Sequence, residues 1–140
     1  MTEAEAVRAR LLDCAPVTAL VGQRVYKDVL PQKPTLPCVR VQRISQVRPW
    51  HLRGPVGVNV SRVQADSIAL TKADAEAVDA AIVGDGLGPD ASGLVGWSGA
   101  LGSPAFEVLF VEPETVRDDY EAEELRQFRV SRDVLVHWRT

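Results

Sequence analysis

The chain has 140 residues, 16 Lys+Arg and 19 Asp+Glu, a formal net charge of −3 and a sequence pI near 5.4. This length, with 46% hydrophobic and 25% charged residues, predicts one globular domain, 1–140, that buries roughly 68% of its unfolded surface without needing a disulfide or a metal. It excludes wholesale disorder and a fibrous repeat. No apolar run nears the ~20 residues that span a bilayer, and residues 1–15 alternate charge with alanine rather than building a signal peptide, so the expectation is a soluble chain that stays where it is made.

Thr2 and Glu5 form a capping box, and Ala4, Val7, Leu11 and Cys14 follow at helical spacing, predicting a first helix that Pro16 interrupts. Residues 16–21 then form one further short helical turn, opened by proline and closed by Gly22. Residues 25–29 are extended, and Pro31, Pro34 and Pro37 keep the next stretch irregular. Val39 and Val41 alternate with Arg40 and Gln42, giving a strand over 38–45. After a loop at 47–57, residues 58–68 return as the second arm of a long hairpin. There Val58 and Val60 share one face and Val63 and Ala65 the other, a phase change that a bulge near Ser61 or Arg62 would reconcile.

Thr71 caps a second helix over Lys72–Val83, with Ala75, Val78 and Ile82 inward and Gly84 closing it. The stretch 84–104 holds seven of the ten glycines and is either a long flexible loop or a loop broken by a short strand around 94–97. Phe106, Val108 and Phe110 alternate in one further strand. In the last strand Phe128, Val130, Val134, Val136 and Trp138 share a face, with Arg132 the exception. An acidic turn at 112–124 joins this antiparallel pair. The predicted fold class is α+β: an antiparallel or mixed sheet of about four to five strands with two helices packed on one face, and flexible loops near 47–57 and 84–104. The predicted core sets the inward residues of the last two strands against Val7, Leu11, Val78 and Ile82.

The sheet's other face carries Arg40, Gln42, Arg62, Gln64, Asp66, Arg129, Ser131 and Asp133. It is either solvated or a face toward a neighbouring subunit or channel, since arginine, glutamine and aspartate suit reciprocal hydrogen bonds. Thirteen of the 16 cations are arginine, which favours paired and interfacial positions. In the loop at 47–57, Trp50, His51 and Arg53 are candidate partner contacts, because tryptophan and arginine dominate binding hot spots. Enzyme signatures are missing: no Walker A, GxSxG, HExxH or calcium loop occurs, and Gly84, Gly86 and Gly88 do not lead a strand into a helix. Asp133 and His137 lie about 13 Å apart along a strand at ~3.3 Å per residue, too far for a dyad. Cys14 and Cys38 fit no zinc spacing and are expected as buried free thiols. No cofactor or metal is expected. A negative charge with scattered arginines disfavours sequence-specific nucleic-acid recognition.

Several segments in order resemble one family. "AEAVRARLLDCAPVTALVGQRVYKDVLPQ", "LPCVRVQRIS", "GVNVSRVQADSIALTKADAEAVDAAI" and the closing "DDYEAEELRQFRVSRDVLVHWR" are similar to the tail completion, or tail terminator, proteins of long-tailed bacteriophages and prophages. The stretch 84–104 is the least typical part. The resemblance implies a small α+β structural protein of the virion tail, assembled in the bacterial host cytoplasm. It implies a homo-oligomeric ring, hexameric by that likeness, which caps the head-proximal end of the tail tube. Implied partners are further copies of itself, the tail tube protein and the head-tail connector protein, with no membrane. A head-tail connector or adaptor role is the alternative within the class, and a cytoplasmic small-ligand-binding domain the alternative outside it.

Overall fold

Thr2 opens the first helix, α1 (Glu3–Asp13), through the capping box: its hydroxyl accepts from the Glu5 amide, and the Glu5 carboxylate accepts from the Thr2 amide at 2.9 Å. The structure, a computed structural model, describes residues 1–86, 91–102, 104–121 and 126–139. Cys14 turns extended and the chain re-enters a helix at once, α2 (Ala15–Val21), with Pro16 in the first turn, where a missing N–H costs no bond. Gly22 closes α2 at a φ of 60°. The remaining elements are β1 (Val25–Lys27), β2 (Cys38–Val47), β3 (Trp50–His51), β4 (Gly54–Pro55), β5 (Val58–Ala69), α3 (Lys72–Val83), β6 (Gly99–Leu101), β7 (Phe106–Glu121) and β8 (Gln127–Arg139).

Six strands form one sheet in the order β1-β2-β5-β8-β7-β6, with β1 parallel to β2 and every other pair antiparallel; β3 and β4 form a separate two-stranded ribbon. The sheet is therefore mixed and wider than the four to five strands expected. β1 and β6 have three residues each, too short for an alternating pattern to be visible. The described helices number three, not two, because the turn at 16–21 is a helix in its own right. α1 packs on β1 and β2, α3 on β5 and β8, and α2 on both other helices. Among the described residues no helix is long and apolar enough to cross a membrane.

The core lies between helices and sheet. Val7, Leu11, Val17, Val21, Val78 and Ile82 meet Val39, Val41, Val63, Ala65, Val108, Val111, Val134 and Val136, all 2% exposed or less. Two predicted core positions differ. An extra residue, Leu109, shifts the β7 register between Val108 and Phe110, so Val111 takes the inward place and Phe110 turns out, 45% exposed and stacked on His137. Phe128 is half-buried in a small separate cluster with Ala69, Ala75 and Val130, stacked on Tyr120. Arg132, the charged exception in an inward row, donates two hydrogen bonds to Asp79 of α3, at 3.1 and 2.7 Å.

The hairpin bulge sits on β2, at Ile44, rather than near Ser61 or Arg62 of β5. β5 therefore keeps a single phase, with Asn59, Ser61, Val63 and Ala65 inward. Its polar start is inward because Glu3, 2% exposed, lies over it: Ser61 donates to Glu3 and accepts from the Trp138 indole at 2.9 Å.

The acidic run is also placed differently. It is strand rather than turn as far as Glu121, because across the ladder its outward acids find cations on β8 and β5: Glu112 with His137, Asp119 with Arg129 and Glu114 with Arg62. Residues 122–125 of the predicted turn lie outside the described residues, as do 87–90 and 103 of the glycine-rich stretch and 140. Within that stretch the short strand falls at Gly99–Leu101, not at 94–97. Residues 91–97 pack on the core, with Leu94 wholly buried and its amide donating to the Ile82 carbonyl at 2.7 Å.

Candidate interaction surface

β-Strand alternation sends every second residue of β2, β5, β8 and β7 to the face opposite the helices. The ladders align these in rows: Arg40, Asp66, Ser131 and Arg117 in one, and Gln42, Gln64, Asp133 and Thr115 in the next. Arg62 and Arg129 stand on the same face. All eight residues named from the sequence for this face thus come together on it. Arg117, Thr115, Glu112 and Glu114 join them, even and odd positions together because a second β7 register shift falls between Pro113 and Thr115; their segment carries too many acids to look like a strand.

The face is a hydrogen-bonded layer. Arg40 holds Asp66 through Nε and Nη2 at 3.1 and 2.7 Å, and Gln64 donates to the other Asp66 oxygen at 2.6 Å. Arg117 reaches Gln64 at 3.3 Å and lies 4.0 Å from Asp133, whose second oxygen accepts from Thr115 at 3.2 Å. Arg129 pairs with Asp119 at 2.7 Å, which holds the Asp119 carboxyl below its usual range. Arg62 pairs with Glu114. Asp66 is fully buried and Gln64, Ser131 and Asp133 nearly so, although no helix covers them; arginine side chains do. Among the described residues, Asp133 Oδ1, Arg62 Nε and Arg129 Nε on this face are buried without a hydrogen-bond partner.

A second feature projects from the sheet's end, where β2 stops and β5 begins. Trp50 pairs with Pro55 and His51 with Gly54, and the Arg53 amide donates to His51 Nδ1 at 3.1 Å. Gly54 holds a φ of 124°, open to glycine alone at low cost. Trp50 is 73% exposed and Leu52 entirely so, beside exposed Val47, Val56 and Arg53. The sequence carries no signal for Leu52 and Val56, since a lone apolar residue in a loop has no period.

The cysteines take no part in either surface. Both are buried and free, and burial raises both thiols, Cys38 to about 11. Among the described residues no group of three or more His, Cys, Asp or Glu could hold a metal ion. His137 lies 2.7 Å from Glu112 rather than beside Asp133.

The family model described as "Tail completion protein gp17" matches residues 5–134. The chain belongs to that family. Tail completion proteins are structural proteins of the bacteriophage virion, and this chain is accordingly a tail structural protein. A chain in a solved structure titled "Virion of native gene transfer agent (GTA) particle" superposes with a TM-score of 0.55 and 16% identity, each chain covering 100% of the other. That similarity shows a shared fold over the whole length. No curated protein matches the chain.

Proposed function

We propose that the chain closes the head-proximal end of a phage tail tube as a ring of identical subunits and offers the joining surface for the head connector. Family membership supports the tail role. The observation that carries the ring is the outer sheet face, where buried Asp66 and Asp133 lie under a layer of partly exposed arginines. Guanidinium groups already paired with carboxylates keep further N–H donors for a partner, so a face built this way suits a neighbouring subunit or an ordered channel lining. A merely solvated face needs no such layer.

Electron microscopy of the purified protein, with and without isolated tail tubes, tests the reading. Rings at one end of each tube, with tube length fixed thereafter, are expected. Binding to tailless heads with no effect on tubes would instead identify a connector.

A further inference from the structure

Beyond the polar face, the sheet carries a second matched pair of features at its two ends. At one end the ribbon β3–β4 presents Trp50 and Leu52, flanked by Arg48 and Arg53, and residues 47–57 include no acid. At the other end a pocket of about 230 Å³ opens between α3, β7 and β8, lined by Lys72, Asp118, Asp119, Tyr120, Phe128 and Arg129. Tyr120 and Phe128 stack there at 4.4 Å, and Tyr120 is 48% exposed. Lys72 is divided between Glu76 and Asp118, at 4.0 and 3.7 Å, so three acids share Lys72 and Arg129 at this rim. Asp118 and Asp119 keep 58% and 63% of their side chains exposed, open to a further cation.

One copy cannot join these features to each other. Phe128 marks the pocket end of β8, and Arg139, which pairs with Val58 beside the ribbon, marks the other. The eleven residue steps between them span about 36 Å at ~3.3 Å per step. The pocket's exposed carboxylates and aromatic stack are complementary to the aromatic, cationic ribbon of a second copy. We infer that Trp50 of one copy seats against Tyr120 and Phe128 of the next, with Arg53 facing Asp118 and Asp119.

Such a contact joins two different surfaces, and a heterologous contact generates a ring where its rotation closes. The inference rests on the ring reading and deepens it by naming the joint. The polar sheet face, whose Arg129 also lines the pocket, borders this joint.

Mixed cysteine variants on tail tubes test it. Leu52→Cys copies and size-tagged Asp118→Cys copies are combined with tubes and oxidised; Cys14 and Cys38 do not compete because both are buried. A cross-linked species containing one of each is expected from the mixture and not from either variant alone. Trp50→Ala should raise the concentration needed for rings at least about tenfold while leaving the circular dichroism melt unchanged, as a hot-spot truncation does. Rings that form with no mixed cross-link, or with Leu52→Cys joined to itself, overturn this contact and leave the ring reading standing. If no rings form on tubes with the unaltered protein, both readings fall.

Discussion

Glu3 shows how a single residue can be both surface-like in sequence and buried in the fold. It opens α1 as an acid near a helix N-terminus commonly does, yet it is 2% exposed and accepts hydrogen bonds from Ser61, Gln46 and Arg43. Burial pushes its carboxyl upward, but the bonds from Ser61, its own amide and Gln46, with the Arg43 charge, outweigh that and lower it below its usual 4.5. A carboxyl lowered in the folded state stabilises the fold fully above the unfolded pKa, and that contribution is lost as pH falls through the folded value. We expect Glu3→Gln to flatten the fall in melting temperature between about pH 5 and pH 3; an unchanged pH profile would show that other carboxylates govern it. Glu3→Ala should cost roughly 1–3 kcal/mol by stranding its donors. Neighbouring positions on β7 make a second test. Val111→Ala should cost roughly 1–3 kcal/mol through two lost buried methyl groups, whereas Phe110→Ala should lose only its stack on His137, roughly 0.5–1.5 kcal/mol. Chemical denaturation of the two variants decides whether the bulge at Leu109 sets the strand's phase.

At the scale of elements, the glycine-rich connection between α3 and β6 is held by contacts distant in sequence. Arg10 of α1 donates to the carbonyls of Ala91 and Gly93 at 2.6 and 3.0 Å, and its guanidinium lies 5.0 Å from the Trp97 ring centre. Gly84 and Gly93 touch backbone to backbone: a β-carbon on Gly93 would come within 2.6 Å of the Ile82 carbonyl oxygen. Gly93→Ala must therefore push this segment off the helix end. Leu94→Ala should cost roughly 2–5 kcal/mol, like any large buried aliphatic. Limited proteolysis of Gly93→Ala should cut the 84–104 stretch faster than in the unaltered chain. Equal rates would show that the glycine pair does not hold it. The Asp79–Arg132 pair joins α3 to β8 in the same way; Arg132→Ala should cost up to about 3 kcal/mol, and the Asp79→Leu, Arg132→Leu double variant less, because no lone charge remains buried.

For the whole molecule, the outer sheet face predicts a separation of folding from assembly. Arg62 and Arg129 make pairs with side chains 40–42% exposed on the arginine side, and solvent screening leaves such exposed pairs little weight in folding. The Arg62→Glu, Arg129→Glu double variant should therefore stay folded by circular dichroism yet fail to form rings on tail tubes. Normal rings from that variant would remove this face from the subunit contact. Monomers in dilute solution are compatible with the assembly reading, because association must overcome an estimated 4–15 kcal/mol of lost rigid-body freedom.

Local chemistry determined much of this protein from sequence alone. The caps at Thr2 and Thr71, the glycine stops at Gly22 and Gly84, and the alternation that set Arg40, Gln64 and Asp66 opposite Val39, Val63 and Ala65 all act within a few residues, so they show in the chain. The partner of each outward acid, the bulges at Ile44 and Leu109, the inward turn of Asn59 and Ser61, and the seating of Leu94 were decided by tertiary structure. Each depends on a group far along the chain: His137 for Glu112, Glu3 for Ser61, Arg10 for the 91–97 segment. A buried polar residue looks like an exposed one until its partner is known, and one inserted strand residue reverses every side chain beyond it without altering the composition.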